Sequence, residues 1–206
     1  LQPYQLTWNA ALEKLKTEQV AAAKLAAAGS WAAPALAVTN LHAELFGGAA
    51  DGRAQLDILT RELAFELAST LEPHNFARWL PESAQTWLEK LSWNPAPHFH
   101  ASGAAVLPAW TNREPDWQAE TWPTVHAGGD FAVTNLTFQN LSADWVRSRV
   151  SVTNQVWRMP DLEIGRPEGD ARLALELGER TKEFFVRLHS SLDLRPLRSL
   201  LATNTQ

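Results

Sequence analysis

His98 and His100 are the pair of residues in this sequence whose spacing best suits a metal ion. They stand in the run Pro-His-Phe-His, and on a β-strand two residues at this spacing point to the same side. No carboxylate follows closely, and His126 and Asp130 are the candidates for further ligands. Cysteine is absent, which excludes thiolate metal sites, thiol catalysis and disulfides. We therefore interpret these histidines as surface or loop residues and predict no metal site.

The serines do not fall into the pattern of a serine hydrolase. The Gly-x-Ser-x-Gly motif of a nucleophile elbow does not occur. Ser69 and Ser190 lie at equivalent positions of an internal repeat, and a repeated serine is more typical of a turn than of a nucleophile. The sequence therefore predicts a protein that is not an enzyme and that uses no cofactor.

The composition excludes some classes of partner. The 206 residues carry a net charge of −5 without a basic cluster, which argues against nucleic acid. The chain is long enough to bury a core and holds no apolar run long enough for a transmembrane helix. It begins at Leu1 and its only methionine is Met159, so we expect a processed or excised piece of a longer protein.

Two segments of the sequence occur twice, in the same order. Residues 31–38 (WAAPALAV) correspond to residues 157–164 (WRMPDLEI), and residues 60–80 correspond without a gap to residues 181–201. Such a repeat predicts one structural unit and its copy, here over residues 1–91 and 125–206. The identical pairs in the longer blocks are Thr60 with Thr181, Glu62 with Glu183, Leu67 with Leu188, Ser69 with Ser190, Leu71 with Leu192 and Leu80 with Leu201.

Apolar and polar residues alternate through both copies, which is the pattern of β-strands with one buried face. Large apolar residues occupy every second position at residues 63–67 and again at 184–188, and the four valines within 146–156 all fall on one side of the alternation. We predict that these inward positions line a groove. The groove residues are Leu63, Phe65, Leu67, Val150, Val152, Phe184, Val186 and Leu188.

Helical patterns are short. They follow the repeated strands at residues 73–80 and 82–91, and again at residues 192–201. The alanine-rich residues 12–28 are ambiguous, because their composition favours a helix. The equivalent residues of the second copy, 149–156, are strand-like, and this favours a strand over residues 20–28.

A stretch rich in tryptophan and proline, residues 92–124, separates the two copies. Flexible linkers are rarely this aromatic, so we interpret it as an ordered connection that packs its rings. Its tryptophans have no counterparts in the repeat, which also makes them candidates for contact with a partner. They are Trp93, Trp110, Trp117 and Trp122.

The predicted fold is mainly β and antiparallel, with two repeated β-meander units that are each followed by a short helix. A sheet with one apolar face covers it by curling, by pairing with a second sheet or by holding a ligand. The units are therefore expected either to curve into an apolar groove or to form a β-sandwich. A groove suits acyl chains, whereas a sandwich suits a structural or interaction subunit of a secretion or surface assembly.

This order of features resembles the repeating β units of the AsmA-like family, the YhdP and TamB type of bacterial envelope protein. The shared features are Trp-x-x-Pro-x-Leu-x-Val/Ile, a glycine-bearing turn, an alternating strand, Thr-Arg/Lys-Glu, and Ser-Thr/Ser-Leu-Glu/Asp before a short helix. The runs at residues 40–48 (NLHAELFGG) and 166–173 (RPEGDARL) are similar to the strand-then-glycine turns of that family.

The resemblance implies a periplasmic segment of a larger protein that is anchored in the inner membrane through parts outside this chain. It implies a curved β-sheet whose apolar groove binds phospholipid or another acyl-chain ligand. The implied role is lipid transport to the outer membrane and maintenance of that membrane, with envelope proteins as possible partners. About ten to twelve strands at a spacing of about 4.8 Å give a groove on the order of 50 Å long, which is too short to bridge an envelope alone.

Overall fold

The computed structural model describes residues 4–16, 21–79, 82–139 and 141–191. Within these residues the chain is mainly β, with two 3-10 helices (Pro73–Trp79 and Trp122–Thr124) and two short α-helices, α1 (Glu82–Leu88) and α2 (Trp117–Glu120). The strands are β1 Gln5–Lys16, β2 Ala21–Ala32, β3 Ala35–Leu45, β4 Gly48–Asp57, β5 Glu62–Ser69, β6 Leu91–Ser92, β7 His98–Val106, β8 His126–Phe138, β9 Leu141–Thr153, β10 Val156–Arg166, β11 Gly169–Gly178 and β12 Phe184–Ser190.

All twelve strands pair antiparallel in one open sheet. Eleven of them follow in the order β1-β2-β3-β4-β5-β7-β8-β9-β10-β11-β12, and the two-residue β6 pairs with β8. The predicted mainly β, antiparallel fold is confirmed. The described residues form no second sheet, so the β-sandwich alternative is wrong for this part of the chain. Within the described part of the chain, the apolar face of the sheet is therefore covered only where connecting segments reach it.

The alanine-rich start of the chain forms strands. The strand predicted at residues 20–28 is confirmed for the described residues 21–28, and the helical alternative is wrong. Alanine favours a helix by less than about 1 kcal/mol per residue. In the sheet, β2 is paired on both sides, and Leu25 lies opposite Leu12 of β1 and Ala43 of β3. These two ladders outweigh the helix propensity.

The longer repeated block corresponds to two equivalent units of three strands, β3–β5 and β10–β12. The match of residues 31–38 to residues 157–164 is wrong, because residues 31–38 span the turn between β2 and β3, whereas residues 157–164 lie within β10. The hydroxyl of Thr70, after β5, bonds to both backbone groups of Ala49 at 3.1 and 3.4 Å. The hydroxyl of Ser191, after β12, makes the same two bonds to Asp170 at 3.1 Å each. The turns before β5 and β12 also match in backbone conformation, with φ of 64° at Arg61 and 58° at Lys182.

The stretch interpreted as a connection contributes a strand to the sheet. β7 lies within residues 92–124 and pairs with β5 on one side and β8 on the other. Residues 70–79 and 82–97, on one side of β7, are called the β5–β7 segment below, and residues 107–125 are called the β7–β8 segment. The helix predicted at residues 192–201 lies outside the described residues.

The β5–β7 segment packs at the end of the sheet where β3 turns into β4 and β8 turns into β9. Phe76 meets Phe46 edge to face, with ring centres 5.6 Å apart. Trp87 stacks on Phe138, again at 5.6 Å. Since Phe138 belongs to the apolar face, this segment covers part of that face at one end of the strands.

The β7–β8 segment packs at the opposite end of the strands. The indole N–H of Trp110 donates to the carbonyl of Ile58 at 2.9 Å, and that of Trp122 donates to the carboxylate of Glu179 at 2.7 Å. The ring of Trp122 also lies 5.6 Å from that of Trp157 in β10. The segment thus spans several strand ends and borders the apolar face there.

The buried apolar residues of the described chain are mostly small. Five of the nine are alanine, as expected when a single sheet has no layer facing it. They are Ala22, Ala43, Ala50, Leu88, Val133, Ala143, Val146, Val152 and Ala171. None of the described helices is long and apolar enough to cross a membrane.

Candidate functional site

One face of the sheet carries apolar side chains on every strand of the eleven-strand path. Directly opposed residues of antiparallel strands point to the same face, so the strand registers trace rows across it. One row crosses from edge to edge without a polar side chain, over about 50 Å at the usual strand spacing. It runs Trp8, Gly29, Val38, Ala54, Phe65, Gly103, Ala127, Val152, Trp157, Leu177 and Phe184.

All eight residues predicted to line a groove lie on this apolar face. Phe65, Val152 and Phe184 belong to the row above, and Leu67 and Val150 belong to the next one, through Ala101 and Gly129. The other three, Leu63, Val186 and Leu188, share the face by strand alternation. The structure therefore brings the two repeat units onto one surface, and ligand binding there stays a prediction.

The apolar face is most open at its two edges. In β12 Phe184 is 76% exposed and Leu188 is 50% exposed, and in β1 Leu6 is 59% exposed. Near the centre Val146 and Val152 are buried. Contiguous exposed apolar surface of this kind marks a binding face in most proteins, because water contact with it is unfavourable.

Two hollows open on the apolar face between β8 and β12. The first has a volume of about 270 Å³ and is lined by apolar residues such as Leu136, Ile164 and Leu173. Arg166 is the only charged side chain among the described residues that line it. The second has a volume of about 380 Å³ and lies beside the exposed edge. Its apolar lining residues are Trp157, Met159, Leu175, Leu177, Phe184, Phe185 and Val186.

The opposite face carries charged side chains that pair across strands. Arg53 of β4 pairs with Glu66 of β5, and this hydrogen bond holds the pKa of Glu66 below 4.5. His100 of β7 lies 3.8 Å from Glu66 and 3.5 Å from Asp130 of β8. Exposed pairs contribute only about 0–1 kcal/mol each, so their main effect is a face that suits water. Further pairs are Arg147 and Arg172 with Glu163, Arg149 with Asp161, and Arg158 with Glu176.

His100 and Ser69, two of the residues with catalytic or metal-binding potential, have structural partners. His98 and His100 lie on the charged face, where His100 joins the carboxylates described above. The described residues hold no group of three or more side chains that could bind a metal ion. Ser69 acts in a turn, because its hydroxyl accepts a hydrogen bond from the N–H of Leu71 at 3.0 Å.

The four tryptophans named as partner candidates divide into two kinds. Trp93 is half-buried and donates to Glu72 at 2.9 Å, and Trp122 is half-buried against the sheet. Trp110 and Trp117 are 53% and 57% exposed. Trp93 and Trp122 therefore fix the connecting segments. Trp110 and Trp117 offer apolar surface to the solvent, although Trp110 also fixes its segment through the bond to Ile58.

The part of the apolar face that small residues supply could not be recognised from the sequence. In β7, Ala101, Gly103 and Ala105 lie opposite Leu67, Phe65 and Leu63. Their alternation with His100 and Ser102 is a period-two signal, but residues without bulk do not stand out as apolar positions.

Comparison of the chain with protein-family models, with curated proteins and with solved structures gives no match. The geometry of the two sheet faces is therefore the basis for a functional proposal.

Proposed function

We propose that this chain is a lipid-binding segment of an AsmA-like bacterial envelope protein, which shields acyl chains on its apolar sheet face. The observation that supports this is the unbroken apolar row across eleven strands, with no second sheet in the described residues. The proposed role is phospholipid transport to the outer membrane and maintenance of that membrane. A periplasmic location, with anchoring in the inner membrane through parts outside this chain, belongs to the same proposal.

Acyl chains are the ligand class whose chemistry fits the apolar face. Apart from the indole N–H groups of Trp8 and Trp157, the row offers no side chain that forms hydrogen bonds, so affinity must come mainly from removing hydrocarbon from water. Each buried methylene contributes about 0.8 kcal/mol. A chain laid on the face also removes Phe184 and Leu188 from water, and binding to the folded state then stabilises it by mass action.

A lipid headgroup requires polar surroundings at the margin of the face. Arg166, at the last residue of β10, borders the 270 Å³ hollow and offers a guanidinium to a phosphate group. Glu168 lies 3.3 Å from Arg166 and competes for it. Beyond the margin, the charged face of the sheet stays in water while the acyl chains are covered.

Lipid content tests the proposal directly. Protein made in bacteria and purified without detergent is analysed by native mass spectrometry and by solvent extraction, and we expect phospholipid to co-purify. Leu177→Glu places a charge on the apolar face at a side chain that is 46% exposed, so it should keep the fold and lose the lipid. Ala174→Glu is the matched control, because it adds the same charge to the same strand on the other face, opposite Arg187.

Three results would contradict the lipid proposal. One is a folded wild-type protein that carries no lipid and whose thermal unfolding does not respond to phosphatidylethanolamine vesicles. Another is an equal loss of lipid in Ala174→Glu. The third is unfolding of Leu177→Glu, because a charge is intolerable in a dry core but not in an open face. A dry core would favour a structural or interaction module.

A further inference from the structure

Strand β12 forms an edge of the sheet that is well suited to pair with another strand. It pairs with β11 in an uninterrupted register from Phe184 to Ser190 and contains neither proline nor a bulge. Six of its seven residues are exposed. Natural edge strands usually contain a proline or a bulge, because a regular edge strand readily pairs with a strand of another molecule. Among the described residues no strand lies beyond β12.

The even-numbered residues of β12 direct their backbone groups away from the sheet. Just before the strand, the carbonyl of Glu183 accepts a hydrogen bond from β11 at 2.8 Å, and just after it the N–H of Ser191 donates to β11 at 3.0 Å. The direction alternates along an antiparallel strand. The N–H and C=O groups of Phe184, Val186 and Leu188 therefore face outward and can bond to a partner.

The sequence of β12 is complementary to itself in the antiparallel direction. When Val186 is placed opposite Val186 of a second copy, the flanking positions form one apolar pair, one aromatic–cation pair and one acid–base pair. Pairs of these kinds stabilise neighbouring strands. They are Phe184 with Leu188 on the apolar face, and Phe185 with Arg187 and Glu183 with His189 on the other face.

The two adjacent registers that preserve the faces are less favourable. A shift in one direction places Arg187 opposite Arg187 of the second copy, and like charges directly opposite each other are destabilising. A shift in the other direction pairs Glu183 with Arg187 but places Leu188 opposite Lys182, an apolar side chain opposite a charged one. The register centred on Val186 is the one of the three that has neither mismatch.

The other edge of the sheet lacks this complementarity. β1 ends in the run Glu-Lys-Leu-Lys, and Lys14 has a φ of 54° and no opposite residue in the register with β2. Lysines and irregular backbone are the features that protect edge strands from pairing. The structure therefore offers one competent edge, not two.

We propose that two copies of this chain associate through β12, antiparallel and with Val186 opposite itself. A two-fold axis perpendicular to the sheet relates the copies, so both apolar faces lie on the same side and join into one surface. The pairing uses outward backbone groups that no described strand of the same chain occupies. The dimer goes beyond lipid binding and does not depend on it.

The absence of cysteine makes the register measurable. Val186→Cys is expected to give a disulfide-linked dimer on mild oxidation, because residues opposite each other in a hydrogen-bonded pair have Cα atoms about 5.5 Å apart, within the span of a disulfide. Phe184→Cys and Leu188→Cys are matched controls on the same face of the same strand. Each lies about 13 Å along the strand from its own copy in this register and should stay reduced.

Sedimentation equilibrium on delipidated protein tests the dimer itself. We expect the wild type to approach twice the monomer mass of 22.9 kDa and Val186→Pro to stay monomeric. The N–H of Val186 faces outward, so proline removes no bond to β11 and blocks only the partner. Circular dichroism and thermal unfolding should show that this variant is folded.

Four outcomes would overturn the dimer. They are a wild-type monomer at all soluble concentrations, a dimer that survives Val186→Pro in its folded form, equal cross-linking of the three cysteine variants, and assemblies larger than a dimer that use both edges. Because the protein is delipidated, failure of lipid binding leaves each of these readouts unaffected.

Discussion

Two neighbouring glycines of β8 differ in the space around them, and only one of the two positions requires a glycine. A Cβ atom on Gly129 would overlap the carbonyl oxygen of His100 and lie 2.9 Å from Cα of Ala101. A Cβ atom on Gly128 would meet only ordinary contacts, the nearest being the carbonyl oxygen of Val150 at 3.6 Å. The close approach of β7 to β8 on the apolar face thus depends on Gly129.

Replacing these two glycines should give opposite results. Gly129→Ala is expected to destabilise the fold by about 1–3 kcal/mol, because the atoms that obstruct it are backbone and cannot turn aside. Gly128→Ala should be neutral or stabilise by about 0.4–1 kcal/mol, because it reduces the freedom of the unfolded chain. Urea unfolding of both variants measures the difference, and equal midpoints would show that the two strands adjust freely.

At the scale of the elements, the β5–β7 segment is held together by a charged histidine. Nδ1 of His74 lies 2.6 Å from the carboxylate of Glu72, and Nε2 lies 3.1 Å from the carbonyl oxygens of Leu88 and Leu91. All three partners are acceptors, so both ring nitrogens must carry protons. Glu72 in turn accepts from the indole of Trp93, which ties the two ends of the segment together.

The pKa values of the two partners define the pH range in which this segment is most stable. Burial opposes the charge on both, but the hydrogen bonds outweigh it, raising the pKa of His74 above 6.5 and lowering that of Glu72 below 4.5. The raised pKa of His74 stabilises the segment fully below pH 6.5, and this stabilisation is lost as the pH rises through the pKa of the folded state. The lowered pKa of Glu72 stabilises the segment fully above pH 4.5, and this stabilisation is lost as the pH falls through the pKa of the folded state. The segment should therefore be most stable between these values.

The indole N–H resonance of Trp93 in NMR spectra reports this pH dependence locally. We expect it to shift and broaden as the pH rises above 6.5 and through the pKa of His74, and again as it falls below 4.5. His74→Gln should abolish the change on the basic side and keep the acidic one. A resonance that responds to pH in the same way in His74→Gln as in the wild type would mean that the charge of His74 does not stabilise this segment.

Period-two patterning predicted the strands that alternate large apolar side chains with polar ones. β5, β9 and β12 belong to this class. β7 was not predicted, because its inward residues are Ala101, Gly103 and Ala105, and their apolar character is supplied by the larger side chains opposite them. The choice between helix and strand near Leu25 could not be made from the sequence either, because it is decided by pairing between residues that are distant in sequence.

At the scale of the whole molecule, the sequence predicted one apolar face but not what covers it. A sandwich and an open sheet have the same alternation along each strand, because both bury one face. The distinction lies in whether the strands form one ladder or two, which depends on long-range pairing. The single-layer arrangement, the two covering segments and the rows across the face therefore had to come from the structure.

A one-layer sheet also has a distinctive distribution of stability. Each strand contacts mainly its two neighbours, so stability is a sum of local terms, as in repeat proteins. The buried residues Val133, Val146 and Val152 concentrate in β8 and β9, whereas β1 pairs only with β2 and exposes Leu6. Opening of the sheet should therefore begin at an edge and cost more free energy toward β8 and β9.

Amide hydrogen exchange at single-residue resolution should reveal this gradient. We expect protection to be greatest in β8 and β9 and to fall strand by strand to β1, where amides directed away from β2 exchange at the rate of an unfolded peptide. Measurement at low protein concentration keeps β12 unpaired, and raising the concentration should then protect the outward amides of Phe184, Val186 and Leu188 while leaving β1 unchanged. A single opening free energy shared by β1 and β9 would mean that the sheet unfolds as one unit. The face would then be stabilised by contacts beyond the neighbouring strands, which a one-layer sheet does not provide.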